Sequence, residues 1–111
     1  MTDRFSTSIR MEGATPVIEF VGQIDAEAET PVLDAWARAA SGVDRVVLDF
    51  GRTEYINSTG LAVIVQLLAR ARADRCDVRA FGLSDHYREI FEITRLSDFV
   101  TLYADRATAL T

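Results

Sequence analysis

The sequence contains no lysine. All 12 basic residues are arginine, which excludes Schiff-base catalysis, a lysine general base and a P-loop lysine. Cysteine and histidine occur once each, as Cys76 and His86, too few for a Cys/His zinc site or an internal disulfide. No apolar run approaches the roughly 20 residues of a membrane span. The opening Met1-Thr2-Asp3-Arg4 lacks the apolar core of a secretory signal. Together with the lone thiol, these features set the expectation of a cytoplasmic protein without membrane insertion. Positive charge is also scarce: 17 acidic residues against 12 basic ones leave a net charge of −5. Scattered arginines on an acidic chain argue against direct nucleic-acid binding, which needs a clustered basic face. There is no G-x-G-x-x-G and no Walker loop, so a nucleotide-binding function has little motif support.

What remains is a chain of 111 residues, 49% hydrophobic and 26% charged. That length suits one domain, expected to span residues 1–111, with an ordinary globular core. Area scaling gives roughly 6,000 Å² exposed when folded against about 18,000 Å² unfolded, so about two-thirds of the surface can be buried.

Residues 6–10 read as an opening strand, with Gly13 marking a turn. Residues 15–21 (TPVIEFV) alternate; Ile18 and Phe20 are expected to face the core, and Gly22 to end the strand. Thr30-Pro31 has the form of an N-cap followed by proline at the first helical position. Val32, Leu33, Ala35, Trp36 and Ala39 then give a helical apolar face that Gly42 stops. Residues 45–50 (RVVLDF) suit a strand buried on both faces. A loop, 51–56, leads into a helix that begins at Ser58 or one residue either side and frays through 69–73. Residues 77–81 (DVRAF) form the next strand. Ser84 caps a helix carrying Tyr87, Ile90 and Phe91. Residues 99–103 make a last strand, and Asp105 starts a terminal helical turn. The order β-β-α-β-α-β-α-β-α predicts an α/β fold with a mixed, mainly parallel sheet of about five strands. An antiparallel edge and helices mostly on one face complete the expectation.

One stretch carries chemistry: residues 46–68, VVLDFGRTEYINSTGLAVIVQLL. A buried strand runs through a loop into a helix whose first N–H groups are unsatisfied and face outward. The local dipole there is positive and would stabilise a phosphate. A serine hydroxyl at that point is open to a kinase, and phosphorylation would add about −1.5 to −2 charge. Read from the residues alone, Asn57 and Ser58 are also ordinary N-caps, and capping is the simpler account.

At these residues the chain resembles a STAS domain, the fold of bacterial anti-sigma factor antagonists. Gly22-Gln23-Ile24-Asp25 is similar to the family's G-x-[LI]-D turn after the second strand, and Val46-Val47-Leu48-Asp49 to its central strand. Ser58-Thr59-Gly60-Leu61 is similar to its D-S-[ST]-G-[LI] signature, and the stretch from Leu96 to Leu110 to its usual ending. The resemblance implies a domain that is a substrate and a binding module, not an enzyme, and that needs no cofactor or metal. An anti-sigma serine kinase of the GHKL fold would phosphorylate Ser58, and a Ser/Thr phosphatase would reset it. Asp25, in the loop the family places near the acceptor, is implied as a partner contact; a turn or capping acid is its other reading. The family places Asp before the acceptor; here Asn57 stands in its place, able to cap but unable to act as a base or supply charge. A different class of function is an unphosphorylated STAS adaptor in a phospholipid-transport ABC complex or a signalling scaffold. A homodimer is compatible with either.

The helix after Ser58 gives a second expectation. Leu61, Ile64, Val65 and Leu68 form the stripe read as core-facing. Asn57, Thr59, Gly60, Ala62, Val63 and Gln66 are then the candidates, beside Asp25 and Ser58, for a partner-docking patch, with burial between neighbouring helices the simpler account of the apolar ones. Other candidates are weak. Asp25, Asp49 and Glu54 have no spacing that demands Mg²⁺. Cys76 and His86 lack an orienting third residue. Trp36 reads as core, and Arg52 and Tyr55 as an exposed loop beside the patch.

Overall fold

The structure is a computed structural model that describes residues 5–111, so the reading of Met1–Arg4 lies outside the described residues. β1 (Phe5–Glu12) and β2 (Thr15–Ile24) form an antiparallel hairpin, with Glu12 opposite Thr15. Gly13 supplies the positive φ of its turn, +63°. β3 (Arg45–Asp49) lies parallel to β2, β5 (Asp77–Phe81) parallel to β3, and β6 (Thr101–Tyr103) parallel to β5. The sheet order is β1-β2-β3-β5-β6, mixed through its antiparallel edge. α1 (Glu29–Ala39), α2 (Ser58–Ala73), α3 (Asp85–Ile93) and the short α4 (Arg106–Ala109) connect and close it.

Strand alternation divides the apolar residues between two faces. Ile18, Phe20 and Ile24 of β2, with Val46 and Leu48 of β3 and the following Phe50, pack under α1, α2 and α3 in the main core. Phe5, Phe20, Phe50 and Phe91 stand in a row with centroids 6.1, 5.3 and 6.0 Å apart. Trp36 is buried here as expected, its indole N–H donating to Asp74 at 3.2 Å. The other face carries a smaller cluster, Val17, Val47, Phe81 and Ala109, closed by α4. The helices therefore do lie mostly on one face.

Several boundaries differ from expectation, each for a local reason. The loop expected over 51–56 contains a sixth strand, β4 (Thr53–Ile56), parallel to the far end of β2. Gly22 does not end β2; at φ +95° it makes a bulge and the strand runs on to Ile24. That extension supplies β4 with its edge: Gly22 N–H donates to the Arg52 carbonyl at 3.0 Å, and the Thr53 hydroxyl to the Phe20 carbonyl at 2.8 Å. Thr30 is not the cap of α1. A 3-10 turn, Ala26–Ala28, capped by Asp25, leads straight into Glu29, leaving Thr30 and Pro31 in the first turn. The missing N–H of proline is harmless there. α2 does not fray; it holds to Ala73. Phe99 lies outside β6, at the end of a 3-10 turn, Leu96–Asp98, and is exposed.

Candidate functional site

β4 delivers the chain to α2 at one end of the sheet. Tyr87 of α3 fixes the approach: its hydroxyl accepts the Ile56 N–H at 3.0 Å. Sequence reading placed Tyr87 only as a helix residue, and no local signal marks its role here. Asn57 is the N-cap of α2, extended at φ −92° and ψ −176°. Its Oδ1 accepts the Gly60 N–H at 2.8 Å and the Thr59 hydroxyl at 2.7 Å. Leu61 N–H closes the first turn on the Asn57 carbonyl at 2.9 Å. The Ser58 and Thr59 amides are left without an intrahelical acceptor, and both side chains are exposed. Ser58 thus presents its hydroxyl at the positive end of a 16-residue helix.

Gly60 binds this turn to the neighbouring loop. A side chain there would overlap the Ile24 carbonyl oxygen, and its Cβ would stand 2.6 Å from the carbonyl carbon. Asn57 N–H also donates to the Ile24 carbonyl, at 3.3 Å. The chain reaching Asp25 is therefore held against the first turn of α2. Asp25, half-buried, caps its own 3-10 turn by accepting the Glu27 N–H at 2.9 Å. Asp25, Asn57, Ser58 and Thr59 share one end of the domain.

The residues read from sequence as a docking patch are not all exposed. Ala62 and Gln66 are exposed beside Ser58, but Gly60 is buried and Val63 is 2% exposed, so neither presents a side chain to a partner. The buried stripe of α2 is Gly60, Val63, Ile64, Leu67, Leu68 and Ala71, whereas Leu61 is half-buried and Val65 is 46% exposed. The stripe expected from Leu61 and Val65 is rotated because Gly60, having no side chain, forms its first member. Counting the glycine as a close-approach residue at i, with Val63, Ile64 and Leu67 at i+3, i+4 and i+7, would have found the face.

The weaker candidates are not assembled. Among the described residues, no three His, Cys, Asp or Glu side chains are grouped to hold a metal ion. Asp49 is buried on the opposite face of the sheet, accepting the Gly51 N–H at 2.8 Å and pairing with Arg10 at 3.3 Å. Cys76 is buried, and its thiol is pushed up by desolvation and then by Asp77, Asp74 and Asp44, the reverse of an activated thiolate. His86 is exposed on α3, its ring 4.9 Å from that of Tyr87. Tyr55 is 52% exposed on β4, and Arg52 is exposed before it.

A sheet with an antiparallel edge and a capped serine opening its second helix can be set against known families. The family model described as "Mlab, STAS domain" matches residues 7–102. The chain belongs to the STAS domain family. Within it, this STAS domain stands with the anti-sigma factor antagonists, which are non-enzymatic regulators. BtrV of Bordetella bronchiseptica, a protein named as a candidate anti-sigma factor antagonist, is 36% identical over 78 residues. The match takes in 70% of this chain and 65% of that protein, just under two-thirds of its length. The anti-sigma-B factor antagonist of Listeria monocytogenes is 36% identical over 83 residues, 73% of this chain and 72% of that one. SpoIIAA of Bacillus has the same fold. Its unphosphorylated form gives a TM-score of 0.71 at 16% identity, covering 93% of this chain and 92% of its own. Its phosphorylated form gives 0.68 at 17%, covering 90% and 93%. Among the described residues, no helix is long and apolar enough to cross a membrane.

Proposed function

We propose that this STAS domain, taken as one unit over residues 1–111, is an anti-sigma factor antagonist switched by phosphorylation of Ser58. Its partners are an ATP-dependent serine kinase of the GHKL fold, which is also the anti-sigma factor, and a Ser/Thr phosphatase. The reaction takes place in the cytoplasm and involves no direct contact with nucleic acid. The observation that carries the reading is the exposed Ser58 at the first position of α2, beside Asp25, in a chain of this family. The solved structures of SpoIIAA in two phosphorylation states lend further support to a fold that accommodates the modification.

The Ser58 oxygen attacks the γ-phosphorus of ATP as the bond to ADP breaks. Asn57 is not a base, so the hydroxyl proton goes to a group on the kinase. The product phosphate carries about −1.5 to −2 charge and sits against the free Ser58 and Thr59 amides. The same charge at a docking face repels an acidic or apolar partner surface, which releases the kinase.

Incubation with ATP and the cognate kinase, followed by intact mass and peptide mapping, is expected to place one phosphate on Ser58. An active kinase that leaves a folded domain unmodified overturns the reading. Ser58→Asp should weaken kinase binding and Ser58→Ala should leave it constitutive; equal affinities reject a charge switch. Asn57→Asp, which keeps the cap and restores a carboxylate, should raise the phosphorylation rate.

Asn57 also favours a second reading. With an amide where the family has a carboxylate, the same face serves an unphosphorylated adaptor in a transport complex or scaffold. Stable binding of a transporter ATPase by unmodified protein, with no phosphate transfer in the assay above, would select it.

A further inference from the structure

The exposed side of α2 does not end at Ser58. Ser58, Ala62, Val65, Ala69 and Arg72 follow one another at four- and three-residue steps, so they form one stripe along the helix, and all five are exposed. Its last part is not a flat surface. Val65, Ala69 and Arg72 face Leu96 and Phe99 across a cleft of about 250 Å³ floored by Leu68. Val65 and Phe99 are each 46% exposed, a large loss for apolar side chains with room to pack. Small-molecule pockets typically run to about 300–1,000 Å³, so this cleft is scaled to inserted side chains rather than to an enclosed ligand.

One cation lines it. Arg72 leans over Phe99, its guanidinium carbon 5.3 Å from the ring centroid. Ion pairs among the described residues engage Arg10, Arg45, Arg52, Arg79, Arg95 and Arg106, and not Arg72. Asp98, next to Phe99, is already taken by Arg95 at 2.9 Å. The helix dipole accounts for arginines in the last turn. The ring face of Phe99 accounts for its lean, but neither supplies Arg72 with a carboxylate partner.

We infer that the cleft is a second anchor for the protein that engages Ser58, and that it receives an apolar side chain from an acidic segment of that protein. The inference rests on the Ser58 reading for the identity of the partner, and on the cleft itself for its chemistry. The first turn of α2 then reports phosphorylation, while the cleft supplies affinity that phosphorylation leaves in place.

Two measurements test it. Isotope-labelled full-length protein is titrated with a synthetic helical peptide bearing leucine on one face and glutamate on the other, and with a twin in which lysine replaces glutamate. The acidic peptide should shift the amides of Val65, Ala69, Arg72 and Phe99 and bind about tenfold tighter than its twin. Arg72→Glu should reverse that preference, Ala69→Arg should block the cleft, and Ser58→Ala should change nothing. Equal binding of the twins, or shifts confined to other surfaces, overturns the inference. So does tighter binding of decanoate at the same amides, which would assign the cleft to lipid, or a dimer abolished by Ala69→Arg, which would assign it to a second copy.

The second measurement is phosphate transfer from the kinase. Ala69→Arg should raise KM for the domain about tenfold with kcat unchanged. An unchanged KM overturns the second anchor and leaves the Ser58 reading standing. No transfer to any variant, with the acidic peptide still seated in the cleft, overturns the Ser58 reading and leaves the cleft a docking site for an acidic segment. Retained amide dispersion in Ala69→Arg, or the same result from Phe99→Ser, separates these outcomes from misfolding.

Discussion

Gly60 does more for the site than its size suggests. It is the residue through which α2 touches the Ile24 carbonyl, and it sets which side of the helix is buried. Gly60→Ala cannot be relieved by a side-chain rotation, because the obstacle is backbone on both sides. The helix start must move away from the chain leading to Asp25. Overpacking of this kind costs about 1–3 kcal/mol, and here it would also separate the residues that frame Ser58. Denaturant unfolding should therefore show a lower midpoint with an unchanged m-value, and kinase binding should fall by more than the stability loss explains. A variant as stable as wild type would show that the contact is slack. Part of this site was legible in the sequence: a helix start within one residue of Ser58, a cap at Asn57 or Ser58 and a turn or capping acid at Asp25 follow from local chemistry. The contact of Gly60 with Ile24 was not, because it joins residues 36 positions apart and leaves no pattern in either segment.

Elements were readable where a period or a cap fixed them. The N-caps Ser84 and Asp105 fall where expected, since each depends on neighbours within four residues, and β5 falls where expected because residues 77–81 carry their own apolar pattern. β4 escaped because Thr53–Ile56 has no alternation of its own and exists as a strand only through the extension of β2 beyond Gly22. The docking of α4 was equally hidden. Its four residues bury Ala109 against Val17, Val47 and Phe81, and polar contacts hold it in place. Arg106 pairs with Glu12, which is also bound by Arg10 at 3.2 Å. The Arg106 contact, and to a smaller degree that of Arg10, lowers the Glu12 carboxyl below its ordinary range, and burial opposes this. Asp105 is lowered as well, first by the Thr108 N–H it accepts and then by the Thr108 hydroxyl. Both groups have folded values below their unfolded ones. Their stabilisation is thus present above the unfolded values and lost as pH falls through the lowered ones. Acid titration followed by the Ala109 methyl resonance should show α4 undocking at a pH below the ordinary carboxylate range. Glu12→Gln with Asp105→Asn, which keeps the cap but removes both charges, should abolish that transition. The same transition in both proteins would assign it to other acids.

At the scale of the molecule the question is how far one phosphate reaches. The domain measures 34 × 29 × 26 Å and already carries a net charge of −5. At physiological salt the Debye length is about 8 Å, so a dianion on Ser58 is screened from most of the other charges. Global self-repulsion therefore changes little. Locally the balance is favourable: a negative group at a helix N-terminus contributes about 0.3–1 kcal/mol, and two free amides are there to receive it. Asp25 in the adjoining loop opposes part of that gain through like charge. A change of 1 kcal/mol in a domain near this size corresponds to about 4–8 °C in Tm. The phosphorylated protein is accordingly expected to melt no lower than the unmodified one and up to about 5 °C higher, with the difference shrinking in 1 M salt. Calorimetry on the two forms at low and high salt checks this. A clear fall in Tm would mean that the phosphate works by loosening the fold. A small rise would instead place its effect at the proposed docking face, where a partner would meet the new charge at close range and without intervening solvent.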